Sequence, residues 1–306
     1  MYYIDFYNQL LNLIKLIDKT KLKKDLNKGN LGTFYKTVDG GEGERCKYPT
    51  RLDTYGKGCF YDCKYCYAKS LLNIRKMWKP YSPATPKDSD LLNIIKKIPK
   101  GQVVRLGGMT DCFQPIERFK RTTYKTIKLL NKKGIHYLIV TKSNLIIRDE
   151  YLDVLNKDFA HIQVSVPSTN NKVLSFTDNA PTYQKRVETI ETLYSKGFDI
   201  SLRLAPILYD TVDYDLINSI QVDKCLVEFL RLKSVGIKNP LNKVTNLKYY
   251  TYYEGGYYHL PLKIKRRILS KIHFKETSVC EDVMSHYYYF QKNYNHNPND
   301  CCNLKL

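Results

Sequence analysis

The 306-residue chain lacks any apolar run near the roughly 18 residues that a membrane-spanning helix needs, and it holds a single Trp. No membrane partner is expected. The first segment, Tyr2 to Ile17, is apolar in places but is interrupted by Asp5, Asn8, Gln9 and Lys15, and no small-residue cleavage site follows. The expected location is therefore the cytoplasm. Acidic residues are scarce too: 30 Asp and Glu stand against 50 Lys and Arg, a net charge of +20, which draws polyanions at long range. Part of that excess is compositional, because Lys, Asn, Tyr and Ile are abundant along the whole chain. A phosphate cradle is missing as well. The Gly-Gly-Glu-Gly-Glu stretch ending at Glu44 has no strand before it and no Lys-Ser/Thr opening a helix after it.

What the chain does have is cysteine, nine in all. Without a leader, that number points to reduced thiols or metal ligation rather than a disulfide framework. Cys59, Cys63 and Cys66 fall in one short stretch, Gly58-Cys59-Phe60-Tyr61-Asp62-Cys63-Lys64-Tyr65-Cys66-Tyr67. Thiolates are the preferred ligands of iron–sulfur clusters, and three so close together suit three irons of a four-iron cube, leaving one iron open. Zinc is the alternative, yet it usually takes a fourth nearby Cys or His, and none lies near this loop.

This pattern, with an aromatic residue just before the last cysteine, resembles the signature of radical S-adenosylmethionine (SAM) enzymes. Tyr65 and Tyr67 around Cys66 make it similar to the spore photoproduct lyase group, often described as DNA repair photolyase-like. The resemblance implies a 4Fe–4S cluster on Cys59, Cys63 and Cys66, SAM chelated at the open iron, a 5′-deoxyadenosyl radical, and an electron donor such as flavodoxin or ferredoxin.

Periodicity gives the rest of the fold. A strand near Thr54 to Lys57 leads into the cysteines, followed by β-branched runs at Val103–Leu106, His136–Thr141, His161–Val166, Ile200–Leu204 and Leu226–Leu230. Between them lie helical stretches at Ala68–Trp78, Asp88–Lys97 with Asp88 or Ser89 as N-cap, Arg118–Lys133, Asp149–Asn156, Thr182–Lys196 and Asp213–Ile220, with Gly134 and Gly197 at expected C-caps. Six strand–helix units mean an α/β fold with a parallel sheet. The resemblance makes this a partial (β/α)6 TIM-type barrel over residues 51–235. Residues 1–50 form an N-terminal extension, a helix over Tyr2–Lys24 and a Gly-rich loop over Asn27–Glu44, and residues 236–306 a Tyr-rich C-terminal one.

Parallel barrels carry their chemistry at the C-terminal strand ends. Here these hold Arg105 with Gly107-Gly108-Met109-Thr110-Asp111, then Thr141-Lys142-Ser143, then Gln163 and Ser165, then Arg203, then Glu228 and Arg231. The resemblance implies that Gly107 and Gly108 contact the SAM amino group and that Lys142 and Ser165 approach its carboxylate. Tyr65, Thr110, Asp111 and Arg203 complete the expected cofactor-binding set. The family's hydrogen-donating cysteine corresponds to Gly108, so Cys112, Cys280 and Tyr67 are the catalytic candidates.

Beyond the barrel, Tyr249, Tyr250, Tyr252, Tyr253, Tyr257 and Tyr258 alternate with Lys243 and Lys248, a pattern suited to stacking on bases. A helix at Leu262–Lys271 and a strand at Ile272–Phe274 lead to Cys280 and Asp282. The C-terminal His286, His296, Cys301 and Cys302 are, with Cys280, candidates for a second metal. The function expected is a radical SAM lyase acting on a nucleobase-type substrate, with the lean towards a free 7-deazaguanine such as queuine. Asp111, Arg203, Glu228 and Asp282 would read its edge. A DNA or RNA base-lesion lyase is the alternative, and a non-catalytic nucleic-acid-binding protein with a structural iron–sulfur or zinc site is the rival of another class.

Overall fold

A computed structural model describes residues 34–38, 41–297 and 300–306; the helix expected over Tyr2–Lys24 lies outside them. One eight-stranded sheet organises the chain, in the order β1 (Tyr35–Thr37), β2 (Thr50–Leu52), β3 (Val104–Leu106), β4 (Tyr137–Thr141), β5 (Ala160–Ser165), β6 (Asp199–Ile207), β7 (Lys224–Phe229) and, last, β10 (Glu276–Cys280). All neighbours from β2 to β10 pair in parallel, and only β1 runs antiparallel, against β2. Five of the six expected strands are present as β3 to β7, and the first barrel strand, β2, lies a few residues before the expected one. A two-stranded hairpin of β8 (Tyr252–Glu254) and β9 (Tyr257–His259) stands apart.

Alternation along the strands divides the sheet's two faces. Ile162, Val164, Ile200, Leu202, Leu204, Cys225 and Val227 join the main apolar core under the helices. The opposite face is polar: His161, Gln163 and Ser165 on β5, Asp199, Ser201 and Arg203 on β6, Lys224 and Glu228 on β7. Residues 300–306 lie across that second face. Cys302 packs with Val103, Leu138 and Val140 by β3 and β4, while Asn303 bonds Ser278 of β10 and its carbonyl accepts from Lys224 of β7. One short segment can touch strands so far apart in order only if the sheet rolls around it. This is a partial barrel without closure.

Several elements shift from the sequence expectation for local reasons. The first barrel strand is Thr50–Leu52; Thr54–Lys57 instead makes a connection, with Gly56 bridging Ala84 and Lys57 at φ 61°. The helix expected at Arg118–Lys133 breaks at Arg121 (φ 52°), because the buried Glu117 carboxylate accepts from the amides of Thr123 and Tyr124 and so caps a new helix, Thr122–Lys133. Gly134, at φ 67°, ends it as expected. The helix Asp88–Lys97 is N-capped by Lys87 without a side-chain bond; Asp88 and Asp90 sit in its first turn and Lys96 and Lys97 in its last, where the helix dipole favours them. Within the Gly-rich stretch, Tyr35–Thr37 is a strand and Gly41–Glu44 one helical turn. The last strand is Glu276–Cys280, not Ile272–Phe274, since pairing of Glu276 with Lys224 sets its register.

Candidate active site

The cysteine loop follows β2 and is held by three other segments. Gln114 accepts from the Phe60 amide at 3.0 Å and donates to the Gly58 carbonyl at 3.5 Å. The Lys64 amide donates to the Thr177 carbonyl at 2.8 Å, and the Asn179 amide to that of Tyr61 at 3.0 Å. Gly58 has no room for a side chain, because a Cβ there would stand 2.0 Å from the Lys79 carbonyl oxygen. Cys59, Cys63 and Tyr61 form a small buried cluster with Tyr65, Cys66, Trp78 and Ala180 against it. Cys66 caps the helix Tyr67–Ile74, its Sγ accepting from the Lys69 amide at 3.5 Å. Burial pushes the Cys59 thiol up to about 12 and that of Cys63 well above its ordinary value, so these sulfurs ionise only when a cation compensates.

Opposite the loop stands the turn after β3. Gly107 has φ 85°, and a Cβ there would lie 2.3 Å from the Val140 carbonyl oxygen, so only glycine fits. Asp53 fixes the turn by accepting from the Met109 amide at 2.9 Å while pairing with Arg51 at 2.9 Å. The Tyr67 hydroxyl donates to the Gly108 carbonyl, so the cysteine loop and the glycine turn meet directly. Thr110 donates to the Tyr55 carbonyl, beneath the turn.

Lys142 extends from the end of β4 towards the same place. Burial opposes its charge, but the negative charges of Cys63 as thiolate, Asp111 and Asp178 outweigh that and hold its ammonium above the usual lysine range. Its Nζ lies 5.8 Å from the centroid of the Tyr65 ring. Asp111 accepts from Thr141 Oγ1 and the Lys142 amide, both at 2.7 Å, and from the Phe113 amide at 2.9 Å. Both its oxygens are thus engaged in tying the glycine turn to β4. Sequence reasoning missed what lies behind Tyr65: its hydroxyl donates to Asp178, which pairs at 2.8 Å with Arg186, and both charged side chains are fully buried. Arg186 also donates to the carbonyls of Pro181 (2.7 Å) and Ser165 (3.1 Å). A signal existed. Arg186 falls on the helix stripe of Tyr183, Thr189, Ile190 and Leu193, where a solvated arginine has no place.

Further into the barrel, Arg203 donates to Gln163 Oε1 at 2.6 Å and pairs with Glu228. Cys280, opposite Glu228 in the β7–β10 register, stands near Cys301 and Cys302. Cys112 is elsewhere: it is 1% exposed within the main apolar core, and burial holds its thiol firmly protonated. Among the described residues no three His, Cys, Asp or Glu side chains gather as ligands of one metal ion, and this holds for Cys59, Cys63 and Cys66 as it does for the second-site candidates Cys280, His286, Cys301 and Cys302.

The tyrosines do not form one stack. Tyr250 is buried, Tyr252 packs on His286 and Tyr253 on Tyr258, whereas Tyr257 turns towards the cysteine loop. There Arg231 lies over the rings of both Tyr67 (5.3 Å) and Tyr257 (5.2 Å) and pairs with Asp282 at 2.9 Å. Tyr67, Arg231 and Tyr257 line a cleft of about 320 Å³ with Lys64, Lys233 and Lys238 at its rim.

Comparison with known proteins decides the family. The family model of the Radical SAM superfamily matches residues 54–219, more than half the chain. The chain belongs to that superfamily. It is 31% identical over 164 residues to the uncharacterised protein MJ0683 of Methanocaldococcus jannaschii, covering 52% of this chain and 61% of that one. With ORF301 of Acidianus two-tailed virus it shares 27% over 186 residues, covering 55% and 59%. The matches thus span about three fifths of each relative's length. In fold it is similar to spore photoproduct lyase complexed with dinucleoside spore photoproduct, at TM-score 0.57 and 13% identity, covering 78% of this chain and 75% of that one. A double mutant of that enzyme with bound AdoMet and dinucleoside spore photoproduct gives TM-score 0.52 at 12% identity, covering 83% and 89%.

A radical SAM protein carries a 4Fe–4S cluster and SAM, and the residues present fit both. A four-iron cube takes each thiolate on a different iron. Three sulfurs spread along one pinned loop, two of them buried, suit that larger group, and the Lys142 ammonium lies close enough to Cys63 to favour its thiolate.

Proposed function

We propose that this radical SAM enzyme acts on a base within a nucleic-acid strand, as a lyase of the photoproduct type. Cys59, Cys63 and Cys66 hold the cluster, Gly107 and Gly108 face the SAM amino group, and Lys142 with Ser165 faces its carboxylate. When bound, the two cofactors supply a 5′-deoxyadenosyl radical that abstracts hydrogen from a substrate carbon. The chain's own part is to aim and to shield. Tyr65, braced by Asp178 and Arg186, and Tyr67, tied to Gly108, flank the loop on two sides.

The observation that carries the polymer reading is the cleft beside the loop. Two tyrosine rings flank a guanidinium, and Lys64, Lys233 and Lys238 stand exposed at its rim, the combination of π-faces and cations that holds a strand by stacking and phosphate contact. A free 7-deazapurine remains the second reading, favoured by the donors and acceptors of Gln163, Arg203 and Glu228 inside the barrel. Titration of reconstituted protein with single-stranded DNA, duplex DNA, tRNA and free 7-deazapurines at two salt concentrations separates the two. Strand binding should weaken with salt at a log–log slope of about −0.7 to −0.9 per phosphate, and Lys233→Glu/Lys238→Glu should flatten that slope. Salt-insensitive binding of a free base, with none to any strand, overturns the polymer reading.

A further inference from the structure

The Arg231–Asp282 pair at the cleft has a buried support behind it. The helix Leu262–Leu269 buries Lys265 completely, and the lysine ammonium donates to Glu281 Oε2 at 2.6 Å and to His286 Nδ1 at 3.0 Å, two residues that are buried as well. The other Glu281 oxygen accepts from the amides of Asp282 (3.0 Å) and Val283 (3.1 Å), so one carboxylate ties the core to the turn after β10. From the other side, Glu254 of β8 accepts from the Met284 amide at 2.7 Å and from the Tyr252 hydroxyl at 2.9 Å. The turn is thus fixed twice, and the Asp282 side chain leaves it to meet Arg231 at 2.9 Å. Because Lys265 already compensates Glu281, the second of these adjacent carboxylates keeps its charge for the arginine.

We propose that Asp282, set in place by Glu281 and Lys265, makes Arg231 a stacking shelf for one base of the strand, framed by Tyr67 and Tyr257, rather than a phosphate contact. This rests on the strand reading above and assigns Arg231 its part in it. A guanidinium paired with a carboxylate has little net charge to offer a phosphate, yet its planar face still stacks on rings and bases. Two rings already flank it, at 5.3 and 5.2 Å, one from the helix that follows the cysteines and one from the hairpin. Leu232, Pro240 and Leu241 add an apolar lining. At about 320 Å³ the cleft stands at the small end of ligand pockets, roughly 300 to 1,000 Å³, which suits a single base. The phosphates then fall to the lysines at its rim, Lys64, Lys233 and Lys238.

The test measures binding of a fluorescently labelled single DNA strand to the reconstituted full chain at two salt concentrations, beside a strand of the same length whose sugars carry no bases. Arg231→Ala should weaken the normal strand about tenfold, change the abasic strand by less than about twofold, and leave the log–log salt slope as it was. Asp282→Asn frees the guanidinium for phosphate, so it should steepen the slope by about 0.7, one further phosphate contact on a single strand, and shrink the preference for the base-bearing strand severalfold. Glu281→Gln leaves the Lys265 ammonium to compete with Arg231 for Asp282 and should move both readings the same way. Should that variant not fold, Asp282→Asn decides, since its side chain is partly exposed. Mere loss of local structure would weaken both strands alike and steepen nothing. The proposal is overturned by an Arg231→Ala variant that loses both strands equally and flattens the slope by about 0.7, or by an Asp282→Asn variant whose slope is unchanged. Wild type that binds neither strand would instead overturn the strand reading.

Discussion

Replacing Arg186 by Met removes the cation from a pair whose partner, Asp178, is also fully buried. Three acceptors lose their donor at once: Asp178 Oδ1, the Pro181 carbonyl and the Ser165 carbonyl. Summing three bonds to a charged group at about 1.5 to 3 kcal/mol each would overcount, because they share one side chain. The better guide is the uncompensated charge left behind, which costs about 3 to 5 kcal/mol when one member of a buried pair is deleted. Because Thr177 and Asn179 zip against the cysteine loop on either side of Asp178, the damage should reach the cluster too, and iron retained after anaerobic reconstitution should fall. The assay is urea denaturation followed by circular dichroism, with iron measured on the same preparations. Adding Asp178→Asn should recover much of the loss. A single variant costing less than about 1 kcal/mol, or a double variant no better than the single, would refute the reasoning.

Other expectations are narrower. Alanine at Cys59, Cys63 or Cys66 should abolish the brown iron–sulfur absorbance and SAM cleavage, whereas Cys225→Ala, buried in the apolar core, should leave both intact; one stoichiometric zinc in place of iron would contradict this. Lys142→Ala should weaken SAM binding by about 1.5 to 3 kcal/mol, read by equilibrium dialysis, and unchanged affinity would remove Lys142 from the site. Asp199 governs acid behaviour. Burial alone would raise its carboxyl, but His161, Lys224 and the Lys305 amide overcome that and hold it at about 2 against an ordinary 3.8. A depressed carboxyl stabilises the fold above its unfolded value, so about 2 kcal/mol should be present above pH 4 and lost as pH falls towards 2. Asp199→Asn should flatten that dependence and make residues 300–306 more susceptible to carboxypeptidase.

The sequence by itself determined the cluster loop and the class of fold. Three thiols within one short stretch are local chemistry, and five apolar, β-branched runs separated by helical periodicity are local pattern, so neither needed distant contacts to be legible, whereas the strand before the cysteines was placed a few residues late. Gly107 was also readable in place, and its positive φ explains why. Tertiary structure decided the rest, because each remaining feature depends on chain segments far apart in sequence. Cys112 lies next to Asp111 in the chain yet its side chain enters the opposite, apolar side of the sheet, while Cys280 comes beside Cys301 only because β10 pairs with β7 and the last residues cross the polar face. Asp178 and Arg186 carry no motif. They matter because folding brings them, with no water between, against the tyrosine that flanks the cysteine loop, and in a dry site a charge must either find its partner or unfold what surrounds it.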